Sequence, residues 1–184
     1  MKFLTQSIPD VLLIEPIVHR DERGYFVETF RQDMLDQALG YKINFIQDNE
    51  SESISKGVLR GLHYQSPPYT QSKLVRVIKG RILDVAVDIR RDSPTFGRHT
   101  TVELSEQNKR QLFLPRGFAH GFAVLSEGAI FSYKVDEYFS AEHNEGIAYN
   151  DKDIAIDWCL SERDIKLSIQ DKNNSNLTDK KKLL

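Results

Sequence analysis

The sequence has a single cysteine, Cys159, so no disulfide can form within the chain. Long apolar runs are also missing. The run from Val11 to Ile14 is far too short for the core of a signal peptide, and no segment approaches the length of a transmembrane helix. These absences argue against a disulfide scaffold and a membrane-spanning protein, and they indicate a protein of the reducing cytoplasm.

Charge of one sign is not in excess either. Lys and Arg total 25 against 27 Asp and Glu, and the net charge is -2. This balance does not favour a nucleic acid or a membrane surface as the main partner, although local basic residues could bind a small anion. A chain of 184 residues is long enough for one domain with a substantial core, so we predict a single domain over residues 1–184.

Short strands separated by Gly, Pro and polar turns make up the middle of the chain, from about residue 43 to 136. No helical period of useful length interrupts them, and this pattern predicts an all-β barrel or sandwich. Within it, residues 73–78 and 81–89 are predicted to form a hairpin that turns at Lys79 and Gly80. One face of the predicted hairpin is apolar. The other mixes apolar residues with a Lys and two carboxylates, as expected of a face that lines a cavity.

The flanking segments carry weaker signals. An apolar stripe predicts a helix over residues 31–39. Residues 43–47 are predicted as a strand and the polar residues 48–53 as a loop. The composition of residues 173–184 predicts a loosely ordered tail.

One predicted strand, residues 58–65, carries an imidazole among apolar neighbours, at His63. A lone histidine in such a place is more often a hydrogen-bonded core residue than a functional one. Three further groups change that interpretation, because His120, Tyr133 and Lys73 also stand in strands of the same small barrel. Two imidazoles, a phenol and an amine that converge in one barrel indicate a site.

The two histidines do not by themselves form a metal site. Metal-binding cupins share the Pro-x-Gly-x-x-His turn that ends here at His120, but they usually offer a His-x-His pair with a nearby Glu as well. In this chain the residue two after His63 is Gln65, and no Glu follows within ten residues. Two imidazoles alone hold Zn, Fe or Mn poorly, so we expect no metal and no other cofactor.

Several longer stretches resemble one known family, the dTDP-4-dehydrorhamnose 3,5-epimerases. They are Leu59–Gln65, Lys73–Arg76, Asp84–Arg90, Ser93–Gly97 and Pro115–Phe122. The resemblance extends from Ile8 to about Asp171. It implies an all-β, cupin-type jelly-roll barrel without metal and with a few short peripheral helices. It also implies a homodimer that exchanges N-terminal strands, and a dTDP-4-keto-6-deoxy sugar as substrate.

The resemblance further implies the catalytic residues. His63 would remove a proton from a carbon beside the C4 ketone, and Asp171 would orient it. Tyr133 would return a proton to the opposite face, and Lys73 would stabilise the negative charge that develops on the C4 oxygen. A base and an acid on opposite faces are what epimerisation beside a ketone requires.

Substrate contacts are implied in the same way. Arg60 and Arg23, the latter from the partner subunit, resemble pyrophosphate ligands, and Phe139 stands where the family often has the Tyr that stacks on thymine. On an ideal strand Arg60 and His63 lie on opposite faces. Both can reach one ligand only if Gly61 marks a bulge or if Arg60 acts across the dimer. The other implied binding residues are Glu28, Gln47, Asn49, Asp84, His120 and Glu145.

Alternatives remain open at this stage. An enzyme that inverts only C3 or only C5 would use the same base and acid as one that inverts both on the way to dTDP-L-rhamnose. From other classes, a metal-dependent cupin oxygenase and a non-catalytic sugar-binding cupin are possible. One departure from the family pattern is Gln170, which stands where a Lys before the Asp is common.

Overall fold

The computed structural model describes residues 1–181 and 183. Its strands are β1 Lys2–Thr5, β2 Leu12–Glu15, β3 Val18–Asp21, β4 Gly24–Val27, β5 Gln47–Ser53, β6 Leu59–Gln65, β7 Lys73–Asp88, β8 His99–Ser105, β9 Gln111–Leu114, β10 Phe118–Val135 and β11 Asn144–Gly146. The α-helices are α1 Gln32–Leu39 and α2 Ile169–Lys172, and the 3-10 helices are Ala141–His143, Glu162–Asp164 and Leu177–Asp179. The predicted all-β fold with a few short helices is confirmed.

Two long strands organise the sheet. β7 and β10 pair antiparallel along their length, from Lys73 opposite Val135 to Asp88 opposite Phe118. On its other edge β7 pairs first with β9 and then with β8, and β10 pairs with β5 in one half and with β6 in the other. β7 and β10 thus form a ribbon at the centre of one nine-stranded sheet, which has two branches, β1-β2-β9-β7-β10-β5 and β8-β7-β10-β6-β11. β3 and β4 form a separate two-stranded sheet.

The hairpin predicted around Lys79 and Gly80 is wrong, because both residues lie inside β7. The register with β10 shifts there, and Gly80 has a φ of +82°. A Cβ at this position would overlap the carbonyl oxygen of Gly128, so only glycine fits. A bulge adds one residue to a strand, so the side chains that follow it change faces. The predicted two-residue turn would have placed the side chains on either side of it in the same way. Val77 and Ile82 therefore both face the barrel interior, as predicted.

The predicted polar loop over residues 48–53 is also wrong, since these residues form most of β5 and pair with β10. Along β5 the acidic side chains are exposed, and the amide and hydroxyl side chains between them are partly or fully buried. The strand predicted over residues 43–47 begins only at Gln47. β5 alternates charged with neutral polar residues, whereas the usual sequence signal of a strand is the alternation of apolar with polar residues. The sequence pattern therefore did not indicate this strand.

A small hydrophobic cluster packs α1 against β2 and β9, and two larger clusters pack against the rest of the sheet. One fills the barrel interior between the two halves of the ribbon. The other packs the C-terminal segment, residues 147–181, against the outer face of β6, with Leu62, Trp158 and Leu177 among its members. Leu177 is buried, and its N–H donates to Asp151 at 2.7 Å. Leu177 therefore packs against the rest of the chain within the predicted tail, and Lys182 and Leu184 of that tail lie outside the described residues.

The helices are short and peripheral. The helix predicted over residues 31–39 is confirmed as α1, which begins one residue later. In the part of the chain that the structure describes, no helix has the length and apolar character needed to cross a membrane.

Candidate active site

A cavity of about 680 Å³ is lined by both halves of β10, by β5 and β6, and by the C-terminal segment. Because both halves of the β7–β10 ribbon contribute side chains to one interior, groups far apart in sequence line this one space. Eight residues predicted from the sequence line it: Asn49, Arg60, His63, Lys73, His120, Tyr133, Phe139 and Asp171.

His63 and Asp171 form a short hydrogen bond inside this cavity. The distance from His63 Nε2 to Asp171 Oδ1 is 2.6 Å, and Asp171 is only 4% exposed. Burial by itself would raise the pKa of the Asp171 carboxyl, but hydrogen bonds from His63 and Ser168 outweigh it and hold this pKa below its usual value. A carboxylate only accepts hydrogen bonds, so Nε2 carries the proton. The lone pair of Nδ1 is therefore the basic site of the neutral imidazole.

A bulge at Gly61 places Arg60 on the same face of β6 as His63. The partners of Arg60 and His63 on β10 are two residues apart, whereas they themselves are three apart. Gly61 has a φ of +124°, and a Cβ there would lie 2.5 Å from the Cα of Gly121. Of the two arrangements that the sequence left open, the structure thus contains the bulge. Arg60 and His63 reach one cavity within a single chain.

Lys73, Asp84 and His120 form a group at one wall of the cavity. Asp84 is fully buried, and its two oxygens lie 3.1 and 3.0 Å from His120 Nε2. Burial lowers the pKa of Lys73 to about 8, and attraction to Asp84 limits that shift. Asp84 does not line the cavity, although a substrate contact was predicted for it. It lies behind His120 and holds that ring instead.

Tyr133 approaches the cavity from the other half of β10, where it stands opposite Asn49 of β5. Its ring lies against Phe131, with centroids 5.7 Å apart. Burial raises the pKa of the Tyr133 hydroxyl, and Arg60 only partly offsets the shift. The phenol therefore keeps its proton at neutral pH, and it faces the same space as His63.

Phe139 stands on a loop, residues 137–140, that three glutamine side chains hold in place. Gln65 donates to one backbone carbonyl of the loop at 3.1 Å and accepts from a backbone N–H at 2.6 Å. Gln71 donates to another carbonyl at 2.8 Å, and Gln47 accepts from the N–H of Phe139 at 3.3 Å. Gln47 was predicted to contact the nucleotide, but it does not line the cavity and holds this loop instead.

Three other predicted residues are not brought to the cavity within this chain. Arg23 lies at the turn between β3 and β4, paired with Asp21, with its side chain 84% exposed. Glu28 is exposed just after β4. Glu145 lies in β11 and faces Lys180, with 3.6 Å between their charged atoms.

The sequence also failed to single out some residues that line the cavity. Gln71 and Lys166 carry no pattern that marks them. Ser168 does carry one, because Ser-x-x-Asp is a common start of a helix. Among residues 1–181 and 183, no group of three or more His, Cys, Asp or Glu side chains is placed to hold a metal ion.

Comparisons with known proteins agree with the resemblance found in the sequence. A family model described as dTDP-4-dehydrorhamnose 3,5-epimerase matches residues 5–179. A relative of that name from Shigella flexneri is 53% identical over 170 residues, which cover 90% of this chain and 93% of the relative.

Solved structures give the same result for the fold. The dTDP-6-deoxy-D-glucose-3,5-epimerase from Legionella pneumophila Philadelphia 1, in complex with dTDP-4-keto-L-rhamnose, superimposes with a TM-score of 0.93 at 48% identity, covering 97% of this chain and 93% of that one. A 3′-monoepimerase from Streptomyces bikiniensis, in complex with dTDP-quinovose, has a TM-score of 0.86 at 32% identity, covering 95% of this chain and 87% of that one. The cupin-type barrel is therefore confirmed, and the chain belongs to the dTDP-4-dehydrorhamnose 3,5-epimerase family of isomerases.

Proposed function

We propose that this protein inverts C3 and C5 of dTDP-4-dehydro-6-deoxy-D-glucose and so produces dTDP-4-dehydro-L-rhamnose. One observation supports the proposal most strongly. An imidazole whose Nε2 is bound to the carboxylate of Asp171 and a phenol that keeps its proton line the same cavity. The Legionella pneumophila homologue, at 48% identity, holds dTDP-4-keto-L-rhamnose.

The chemistry follows from the C4 ketone of the substrate, which acidifies the hydrogens on C3 and C5. His63 Nδ1 takes one of these protons, and the electron pair of the C–H bond moves to the C4 oxygen to form an enolate. The Lys73 ammonium stabilises this oxygen, where a cation in a partly dry cavity acts most strongly. Tyr133 then donates its proton to the same carbon from the opposite face, which inverts it. His63 loses its extra proton to solvent and Tyr133 regains one before the next carbon reacts.

The remaining residues of the cavity are suited to bind the nucleotide. Arg60 offers forked donors for the diphosphate, and Phe139 offers an aromatic face for thymine. Asn49 presents an amide beside them, and His120, held by Asp84, contacts the sugar. Gln170 supplies no cation here, and Lys166, which also lines the cavity, is a second basic group that could serve the diphosphate beside Arg60.

We further propose a homodimer. Phe26 in the sheet of β3 and β4 is 70% exposed, and Ile17 just before that sheet is 62% exposed. In a single chain both apolar side chains would lie in water. A partner that covers this sheet would receive Arg23, and with it Glu28, in its own cavity. Each protomer, residues 1–184, is proposed to be one domain that works in the cytoplasm.

Incubation with dTDP-4-dehydro-6-deoxy-D-glucose in heavy water tests the proposed function. Double epimerisation incorporates two deuterons into the product, at C3 and C5. Incorporation of one deuteron would instead identify a mono-epimerase, a second candidate that the structural similarity to the Streptomyces bikiniensis 3′-monoepimerase supports. No incorporation would refute both.

Two controls distinguish the proposed epimerase from a metal-dependent oxygenase and from a non-catalytic sugar-binding protein. We propose that no metal takes part, so activity should survive a chelator, whereas a metal-dependent oxygenase would lose it. A non-catalytic sugar-binding protein would bind dTDP and show no exchange with solvent.

A further inference from the structure

Two Ser-x-x-Asp sequences occur seven residues apart in the C-terminal segment, Ser161 to Asp164 and Ser168 to Asp171. Both begin a short helical turn, and in both the serine hydroxyl donates to the aspartate carboxylate, at 2.9 and 2.8 Å. Their surroundings differ. Asp164 is exposed, whereas Asp171 is buried and bound to His63. The first pair therefore serves as an internal control for the second.

The Asp171 carboxylate is held from two sides. Its Oδ1 accepts from His63 Nε2 at 2.6 Å, and its Oδ2 accepts from Ser168 Oγ at 2.8 Å. In return the backbone N–H of Asp171 donates to Ser168 Oγ at 3.0 Å. Ser168 is thus tied to both the backbone and the side chain of Asp171.

This double attachment matters because the terminal torsion of an aspartate is soft. Once Ser168 holds Oδ2, the position of Oδ1 is set relative to α2. Without the hydroxyl, Oδ2 loses a donor, and the carboxylate, then held only by His63 and the backbone of Gly61, is freer to rotate. The hydrogen bond from the Ser168 hydroxyl also contributes to the lowered pKa of Asp171, so it favours the charged carboxylate that can accept from the imidazole.

We propose that Ser168 is a positioning residue: it holds the Asp171 carboxylate so that the other oxygen orients His63 with Nδ1 toward the substrate. The inference rests on the proposed function for its kinetic consequence. Its structural part, the geometry of the His63–Asp171 hydrogen bond, is independent of turnover.

The test uses three substitutions at one position and one control. Ser168→Ala removes the hydroxyl. Ser168→Gly also removes it, but glycine is well tolerated at the N-cap position of a helix. We expect both to lower kcat roughly tenfold or more, the value of one hydrogen bond to a charged group, with KM little changed. Ser168→Thr, which keeps a hydroxyl, should recover most of the loss. Ser161→Ala removes the matching hydroxyl at the exposed pair and should leave kcat unchanged.

A second readout does not depend on turnover. The proton in the His63–Asp171 bond is expected to give a low-field proton resonance in NMR, assigned by its disappearance in His63→Asn and Asp171→Asn. It should weaken or disappear in Ser168→Ala and Ser168→Gly and persist in Ser168→Thr and Ser161→Ala. Melting temperatures and dTDP affinity show that each variant is folded, and if Ser168→Ala does not fold, the Gly variant decides.

The outcomes are distinguishable. If the wild type epimerises and the Ala and Gly variants keep both kcat and the resonance, the inference is wrong. If the wild type does not epimerise, the proposed function is wrong, and the resonance alone decides whether Ser168 positions Asp171.

Discussion

The charge of Lys73 should impose an upper pH limit on activity. Burial lowers the pKa of Lys73 to about 8, and the nearby Asp84 carboxylate prevents a larger shift. Below that pH the amine is protonated and can stabilise the enolate oxygen, and above it the amine is neutral and cannot. The Tyr133 hydroxyl does not contribute to this limit, because burial raises its pKa and the proton stays in place.

The size of the effect follows from the titration. One pH unit above the pKa, about one molecule in eleven is charged, so kcat/KM should fall about tenfold per unit between roughly pH 8 and 10. The fall should level off when the whole contribution of the cation is lost, which for one group at a developing oxyanion is roughly 100- to 1000-fold. The relevant parameter is kcat/KM, because it reports the ionisation of the free enzyme.

The assay measures initial rates from pH 6 to 10 for the wild type, Lys73→Arg and Lys73→Met. A guanidinium stays charged over this range, so the Arg variant should be slower overall but lack the fall above pH 8. The Met variant should be slow at every pH and likewise show no fall there. Breakdown of the keto sugar in base would affect all three proteins equally. The reasoning is refuted if Lys73→Arg shows the same decline as the wild type.

Three further predictions concern the acid, the nucleotide loop and the bulge. Tyr133→Phe should lose most turnover while dTDP-sugar binding, measured by calorimetry, changes little; unaltered turnover would mean that another group is the acid. Gln65→Ala should raise KM more than it lowers kcat, because it frees the loop that carries Phe139, and an unchanged KM would contradict this role. Gly61→Ala should lower the free energy of unfolding by several kcal/mol or prevent folding, since its Cβ would lie 2.5 Å from the Cα of Gly121; a denaturation midpoint equal to the wild type would contradict the described bulge.

Much of the site could be predicted because the relevant signals are local. His63 stands in β6, and His120 and Tyr133 stand near the two ends of β10, each beside apolar neighbours among which a buried polar side chain needs a hydrogen-bond partner. The bulge at Gly61 was one of two solutions to a specific conflict, the opposite faces of Arg60 and His63, and the structure contains it.

The wrong prediction of a hairpin at Lys79 and Gly80 has a physical cause. A Lys-Gly pair between apolar alternations is typical of a hairpin turn, but a glycine with positive φ serves a bulge equally well, as Gly80 does. A turn and a bulge can be told apart here only by the partner strand, in which Ala129 pairs with Gly80 from 49 residues further along the chain.

Other features depend on contacts between distant parts of the chain or between chains. Gln65 looked like a missing metal ligand, and its contact to a loop 73 residues away is not visible in any local pattern. Arg23 and Glu28 lie outside the cavity of their own chain, so their proposed role requires a second copy.

In the proposed mechanism a base and an acid act on opposite faces of one sugar, and Tyr133→Phe in heavy water tests this most directly. His63 should still remove the proton and return a deuteron to the same face, so the recovered substrate should gain deuterium beside the ketone without inversion. His63→Ala in the same solvent should show neither exchange nor inversion. Inverted product at the wild-type rate from Tyr133→Phe, or exchange that survives His63→Ala, would contradict the account.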